Sequence, residues 1–213
     1  MRRRRSGNPV GRPKAFCEKQ ALEAATLVFA EKGFEGTSLT DLTKAMGINR
    51  FSLYATYGNK EALYVKAMER FNEVRNQHIE QILDVPSARQ GLSQFLRDAA
   101  ARLTDNCGHG SCFVTQAPLE AKEASASARR RIAEMRASVE KLIRERLERA
   151  VKEGELPASA SAADLARFFA VTIQGFALQA QHGGTREELL RVVDVAMSQW
   201  PKQAKSKHKE VAS

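Results

Sequence analysis

Apolar positions recur along the chain at three- and four-residue intervals, and no stretch alternates apolar with polar residues over a useful strand length. The spacing predicts helices almost throughout. In KQALEAATLVFAEKG, Leu22, Ala25 and Phe29 share one face, and Gly33 ends the helix as a left-handed cap. Ser38 starts a second helix, and Asp41 three residues on completes a capping box. The apolar face of that helix is Leu39, Leu42, Ala45 and Met46, and Gly47 ends it. Asn49 caps a third helix, with Ile48 and Leu53 forming a hydrophobic staple. A fourth runs from Asn59 to about Leu83 with Leu63, Ala67 and Phe71 apolar, and Pro86 breaks the chain after it. Further helices are predicted over 87–104, 111–122, 125–154, 161–181 and 185–199, separated by NCGHGS, the small residues near Ser125, GELPAS and HGG. The chain therefore reads as all-α, with about nine helices. Three short helices reach residue 58, a longer helical bundle follows, and the helix from Asn59 bridges the two without a loose linker.

Charge adds two ends to this picture. Residues 1–14 hold Arg2, Arg3, Arg4, Arg5, Arg12 and Lys14 with no acid, and Lys202, Lys205, Lys207 and Lys209 near the other end face Glu210 alone. These ends carry the whole formal net charge of +9, while the 24 bases and 24 acids of residues 15–199 balance. Cationic ends of this kind seek a polyanion, or else they are solvated tails that aid solubility, the plainer reading for the C-terminal one. The chain divides into a basic arm (1–14), a three-helix unit (15–60), a helical bundle (61–200) and a basic tail (201–213).

Several function classes drop out. Three cysteines in 213 residues make no disulfide framework, and the arginine run leads into SGNPVGRPK with no apolar stretch, so a cytoplasmic location is expected. The longest apolar segment, FFAVTIQGFAL (168–178), includes Thr172 and Gln174 and falls short of the ~20 residues that span a bilayer, so no membrane partner is expected. There is no GxSxG, HExxH or P-loop, and His78, His109, His182 and His208 are scattered, so neither an enzyme nor a cofactor is expected.

Helix, glycine turn, helix across 38–57 is the helix-turn-helix pattern, whose second helix enters the major groove of DNA. The N-terminal residues of that helix reach base edges, here Arg50, Phe51 and Ser52. Arg50 can donate two hydrogen bonds to guanine, and Phe51 can touch a thymine methyl. Arg50, Tyr54 and Tyr57, at i, i+4 and i+7, are expected on the outward face, where a tyrosine hydroxyl can donate to a phosphate. Lys60 opens the next helix, where free N–H groups and the dipole favour a phosphate. A helical hairpin in which Tyr54 and Tyr57 only pack has the same spacing.

Residues 23–68, EAATLVFAEKGFEGTSLTDLTKAMGINRFSLYATYGNKEALYVKAM, resemble the N-terminal domain of the TetR/AcrR family of bacterial transcriptional regulators. The resemblance is carried by FAEKGFEGTS, the Gly-Ile turn, the LY pair, Tyr57 and NKEAL. It implies a homodimer on a near-palindromic double-stranded DNA operator, acting as a repressor released by a small-molecule, thiol-reactive or metal effector. It further implies phosphate roles for Tyr54, Tyr57 and Lys60, and base or phosphate roles for Ser38, Thr40, Arg50, Phe51 and Ser52. Thr56 stands where many members have a histidine that meets phosphate, and Phe51 where many have glycine or another small residue. A helical adaptor without DNA binding explains the bundle but not the basic arm joined to a helix-turn-helix.

The three-helix unit is neutral, with Lys19, Lys32, Lys44, Arg50 and Lys60 against five acids, and so lacks the phosphate neutralisation that supplies most non-specific affinity. The arm can supply it. Gly11-Arg12-Pro13 resembles an AT-hook core, placing Arg12 in the minor groove while Arg2–Arg5 track phosphates; diffuse attraction by a disordered tail is the alternative.

In the bundle, Leu165, Phe168, Phe169, Thr172 and Phe176 recur on one predicted helix, and Leu189, Val192, Val193, Ala196 and Trp200 on the next. The resemblance assigns these last two helices to a four-helix dimer interface. It also assigns an effector pocket to the middle helices, where Phe95, Leu96, Leu103, Phe113, Gln116, Met135 and Val139 either line a pocket or pack as core. No charge cluster along the sequence indicates an effector class. CGHGSC (107–112) leaves three readings open: Cys112 as a small buried hydrophobe, Cys107 and Cys112 as a thiol sensor, or both with His109 as ligands of a thiophilic metal.

Overall fold

The computed structural model describes residues 16–105 and 126–201. The described residues form eight helices: α1 (Glu18–Gly36), α2 (Leu39–Met46), α3 (Arg50–Tyr57), α4 (Lys60–Leu83), α5 (Ala88–Thr104), α6 (Ala126–Lys152), α7 (Ala162–Gln181) and α8 (Arg186–Ser198). No strand occurs among the described residues. The arm, the expected helix over 111–122 and the tail beyond Pro201 lie outside them.

Local chemistry sets the ends of the short helices. At α2 the Ser38 hydroxyl accepts from the Asp41 N–H (3.0 Å), and the Asp41 carboxylate accepts back from the Ser38 N–H (3.0 Å). The Ser38 hydroxyl, and Lys32 at 2.9 Å, hold the Asp41 carboxyl well below the usual carboxylate range. Gly47 closes α2 in the left-handed region (φ 64, ψ 30). Asn49 and Asn59 cap α3 and α4 by accepting from the N–H groups of Ser52 and Ala62, both at 2.8 Å. Gly33 has the expected positive φ of 70, but its ψ of 178 sends the chain out extended, and helical turn resumes as far as Gly36.

Two cores form, and α4 feeds both. The lower one joins Phe29 of α1, Leu42 and Met46 of α2, Leu53 and Tyr57 of α3, and Leu63, Tyr64 and Met68 of α4. The upper one joins Ile79 and Leu83 of α4 to Leu92, Leu96, Leu147, Phe169, Phe176 and Val193 of the other helices. A second helix also reaches down: Met135 of α6 is fully buried in the lower core, with Ile132 packed against it. Arg75 of α4 donates to the Met135 carbonyl (2.7 Å) and to the Ser138 hydroxyl (3.2 Å), and Arg131 of α6 pairs with Glu69 of α4.

Long-range polar contacts tie the break between α4 and α5 to the end of α6 and the turn after it. The buried Arg146 guanidinium donates to the carbonyls of Leu83 (3.0 Å), Val85 (2.9 Å) and Pro86 (3.1 Å), which the end of α4 would otherwise leave unpaired. Glu155 accepts from the Ser87 hydroxyl (2.7 Å) and from the N–H groups of Ala88 (2.6 Å) and Arg89 (3.0 Å), capping α5 from sixty-odd residues away. Burial works to raise the Glu155 pKa, but the Arg89 and Ala88 amides, the Ser87 hydroxyl and Arg146 outweigh it, so the pKa is lowered. A carboxyl lowered in the folded state stabilises above its unfolded pKa and loses that contribution as acid protonates it. Glu155→Gln is therefore expected to lower stability by about 1–2 kcal/mol near neutral pH, with the two proteins converging below about pH 4. Urea melts at pH 7 and at about pH 3 check this; a constant difference between them sinks it.

Candidate nucleic-acid interface and effector cavity

The reading face is built on α3. Its N-cap at Asn49 leaves Arg50 and Phe51 projecting at the start of the helix, with Phe51 81% exposed. Leu53 is fully buried and anchors α3 from below, and Tyr54 stands 49% exposed beside Arg50. The guanidinium of Arg50 donates to the Thr40 hydroxyl of α2 at 3.2 Å, so Thr40 aims Arg50 across the turn. Ser52 and Thr56 are half-buried at the edges of this face. Ser38 is exposed, but its hydroxyl is engaged on both sides by Asp41, donating to the carboxylate at 2.6 Å and accepting from the N–H. Lys60 opens α4, its ammonium 4.3 Å from the centre of the Phe34 ring.

Tyr57 differs from its expected outward place. It is 5% exposed, and its hydroxyl donates to the Glu18 carbonyl at 3.0 Å, fixing the start of α1 over the end of α3. Burial raises its pKa. On the helical wheel Tyr57 falls almost in line with Arg50, but α1 covers only the C-terminal end of α3. Arg12 lies outside the described residues, as do Cys107, His109, Cys112, Phe113 and Gln116.

A cavity of about 680 Å³ opens between α4, α5, α6 and α7, a volume typical of small-molecule sites. Phe95, Leu103 and Val139 line it, as the sequence expects, together with Phe71, Ile173 and Leu178. Met135, expected on the same wall, lies instead in the lower core, and Leu96 is fully buried in the upper core. The expectation of no charge cluster fails at this point: Arg75 and His78 of α4, Arg102 of α5 and Arg136 of α6 all reach the cavity. Asp98 pairs with two of them, at 3.2 Å to His78 and 2.7 Å to Arg102. These cations are spread over sixty residues of sequence, so no linear motif announces them.

Helices α7 and α8 each carry two apolar stripes where the sequence shows one. Phe169 and Phe176 of α7 and Leu189, Val193 and Ala196 of α8 are buried in the upper core. Phe168, Val171 and Leu178 of α7 and Val192 and Val195 of α8 remain exposed. Among the described residues no helix is long and apolar enough to cross a membrane.

Comparison with known proteins fits this geometry. Residues 21–67 match the model for bacterial regulatory proteins of the tetR family, and residues 88–196 match that for the tetracyclin repressor-like C-terminal domain. The chain is 27% identical over 197 residues to the HTH-type transcriptional repressor ComR of Escherichia coli K12, covering 92% of this chain and 94% of that protein. A solved structure of the TetR family transcriptional regulator CifR, a cysteine mutant complexed with 26-base-pair operator DNA, is 37% identical and superposes with a TM-score of 0.80 over 90% of this chain and all of that one. Reduced NemR of Escherichia coli, at 19% identity, shares the fold with a TM-score of 0.77 over 87% of this chain and 97% of that one.

Proposed function

The chain belongs to the TetR family of DNA-binding transcriptional regulators, and we propose that it is a dimeric repressor released from a near-palindromic operator when a small molecule fills the α4–α7 cavity. The observation that carries this reading is the exposed triad of Arg50, Phe51 and Tyr54 on a helix anchored by Leu53 and capped by Asn49. A helix held this way presents Arg50 and Phe51 to base edges and the Tyr54 hydroxyl to a phosphate. Thr40 steers Arg50, and Ser52, Thr56 and Lys60 flank the contact. The hydroxyls of Ser38 and Tyr57 are spent within the protein, so their part is to position α2 and α3.

Release follows from the shared helices. Cavity walls at Phe71, Arg75 and Ile79 belong to α4, which continues down into the lower core at Leu63 and Met68. Val139 and Arg136 belong to α6, whose Met135 is part of that same core. A ligand that prefers one arrangement of α4 and α6 thus prefers one placement of α3. Two α3 helices must sit about 34 Å apart to occupy successive major grooves, so a small tilt in each protomer weakens operator binding.

A mobility-shift titration on DNA from upstream of the protein's own gene tests this reading. Arg50→Ala is expected to weaken specific binding about 10–100-fold, from the roughly 1–3 kcal/mol that one bidentate base contact supplies, while binding to unrelated duplex changes little. If the parent prefers that DNA no more than an unrelated duplex of equal length, and Arg50→Ala matches the parent, the reading is wrong.

A further inference from the structure

We infer that each half-site of the operator carries a guanine with a thymine on a neighbouring base pair, and that Phe51 selects the thymine by its 5-methyl group while Thr40 fixes Arg50 on the guanine. The inference rests on the proposal that α3 is the reading helix, and names what that helix reads.

The thymine is assigned by Phe51. At 81% exposed it is the most accessible large apolar side chain among the described residues. An isolated exposed apolar residue is ordinary, but this one stands beside the exposed Arg50 in the first turn of α3, the part of such a helix that meets base edges. Leu53 and Tyr57, not Phe51, are the α3 side chains that enter the lower core. Laid over guanine, adenine or cytosine in the major groove, the ring would strip water from amino, carbonyl or ring-nitrogen groups without replacing their hydrogen bonds. Thymine alone of the four bases presents a methyl group there, and contact with it buries apolar surface on both partners.

The guanine is assigned by Arg50 together with Thr40. The Thr40 hydroxyl accepts from a terminal nitrogen of Arg50 at 3.2 Å, across the turn between α2 and α3. A guanidinium has five N–H donors, so enough remain for the two acceptors of guanine, O6 and N7. What Thr40 adds is direction. A long side chain arrives at the groove already aimed, so less freedom is lost on binding. Base selection by α3 therefore depends on a residue of α2.

Adjacency follows from helix geometry. Consecutive helical residues differ by about 1.5 Å along the axis, less than the roughly 3.4 Å between successive base pairs. Arg50 and Phe51 thus leave α3 at nearly one level and reach the same base pair or its neighbour. A G·C pair holds no thymine, so the methyl group belongs to the pair beside it.

Selection by the full-length protein from a pool of random-sequence duplexes, followed by sequencing, reads the half-site directly. The parent is expected to enrich an inverted repeat with a G·C pair beside a T·A pair in each arm. Phe51→Ala should lose the thymine preference and keep the guanine. On the enriched duplex, replacing that thymine by uracil in one half-site removes the methyl group alone. It should weaken the parent about fourfold, the ~0.8 kcal/mol of one buried methyl-sized group, and leave Phe51→Ala unaffected. Thr40→Val removes the hydroxyl at nearly the same shape and should cut the preference for guanine about fivefold, the worth of one hydrogen bond. Thr40→Ser should restore that preference. Loss of a phosphate contact at Thr40 would instead weaken every duplex alike. No enriched repeat at all overturns both the operator reading and this inference. A repeat without the G·C and T·A neighbours, a uracil effect that persists in Phe51→Ala, or a guanine preference that Thr40→Val leaves intact overturns this inference alone.

Discussion

A Val195→Arg variant is expected to be a folded monomer that binds a full operator about 10²–10⁴-fold more weakly than the parent. Val195 is 65% exposed, and on adjoining helices Val171 is 57%, Leu178 48%, Val192 45% and Phe168 41% exposed. Single exposed apolar side chains are ordinary, but five gathered on the last two helices make a patch that water disfavours. The opposite stripes of α7 and α8 are already buried in the upper core, so the outer face formed by Phe168, Val192 and Val195 is left uncovered within the protomer. A two-fold interface lays each residue near its own copy's patch, and an arginine at Val195 would place two like charges in a desolvated seam. The loss on DNA arises because each protomer holds only one α3. Joined copies bring the second reading helix to its half-site at high effective concentration, and separated copies forfeit that gain. Light scattering after size exclusion, paired with mobility shifts on full and half operators, measures both effects. A monomeric variant with parental operator affinity, or a dimer that survives the substitution, sinks the proposed interface.

The second large effect is expected from Met135→Ala, which should cost about 2–5 kcal/mol of stability, as do other large-to-small changes at buried core positions. Met135 is fully buried in the core that also holds Leu53, Tyr57, Leu63 and Met68, although it belongs to the helix that walls the cavity. Truncation opens a void in the core that α3 shares, so operator affinity should fall even though no DNA contact is touched. Ile143→Ala, a comparable truncation in the upper core on the same helix, is the control: it should lower stability and leave the reading helices in place. Urea unfolding with mobility shifts below the melting range separates the two. A Met135→Ala protein that loses less than about 1 kcal/mol, or that releases DNA no more readily than Ile143→Ala, removes α6 from the transmission route.

Much of the reader was legible because its signals are local. Ser38 with Asp41, Asn49 with Ser52, Asn59 with Ala62 and the left-handed Gly47 are interactions over three or four residues, and the structure forms each of them. The exposed place of Arg50, Phe51 and Tyr54 also follows from the position of the cap and from Leu53 beneath it. Tyr57 shows where such reasoning stops. Periodicity reports an angle around the helix axis, but whether a side chain at that angle is covered depends on where a neighbouring helix begins, here Glu18 of α1.

The bundle follows the same division. The sequence left Met135 open between pocket wall and core, and could not say that it fills the core of the other half. No local motif marks Glu155 and Arg146, yet they cap α5 and α4 across some sixty residues. The cavity's cations come from three helices, and only packing brings them to one wall. By itself the amino-acid order determined that this chain is helical, where most of the described helices begin, and that one short helix presents an exposed arginine-and-aromatic face. Those properties arise from backbone hydrogen bonding and side-chain spacing within a few residues. Tertiary structure alone decided which side of each helix meets another helix, which hydroxyls are used up inside, and where positive charge collects around an apolar hollow. Those depend on distances between residues far apart in the chain, which local spacing does not encode.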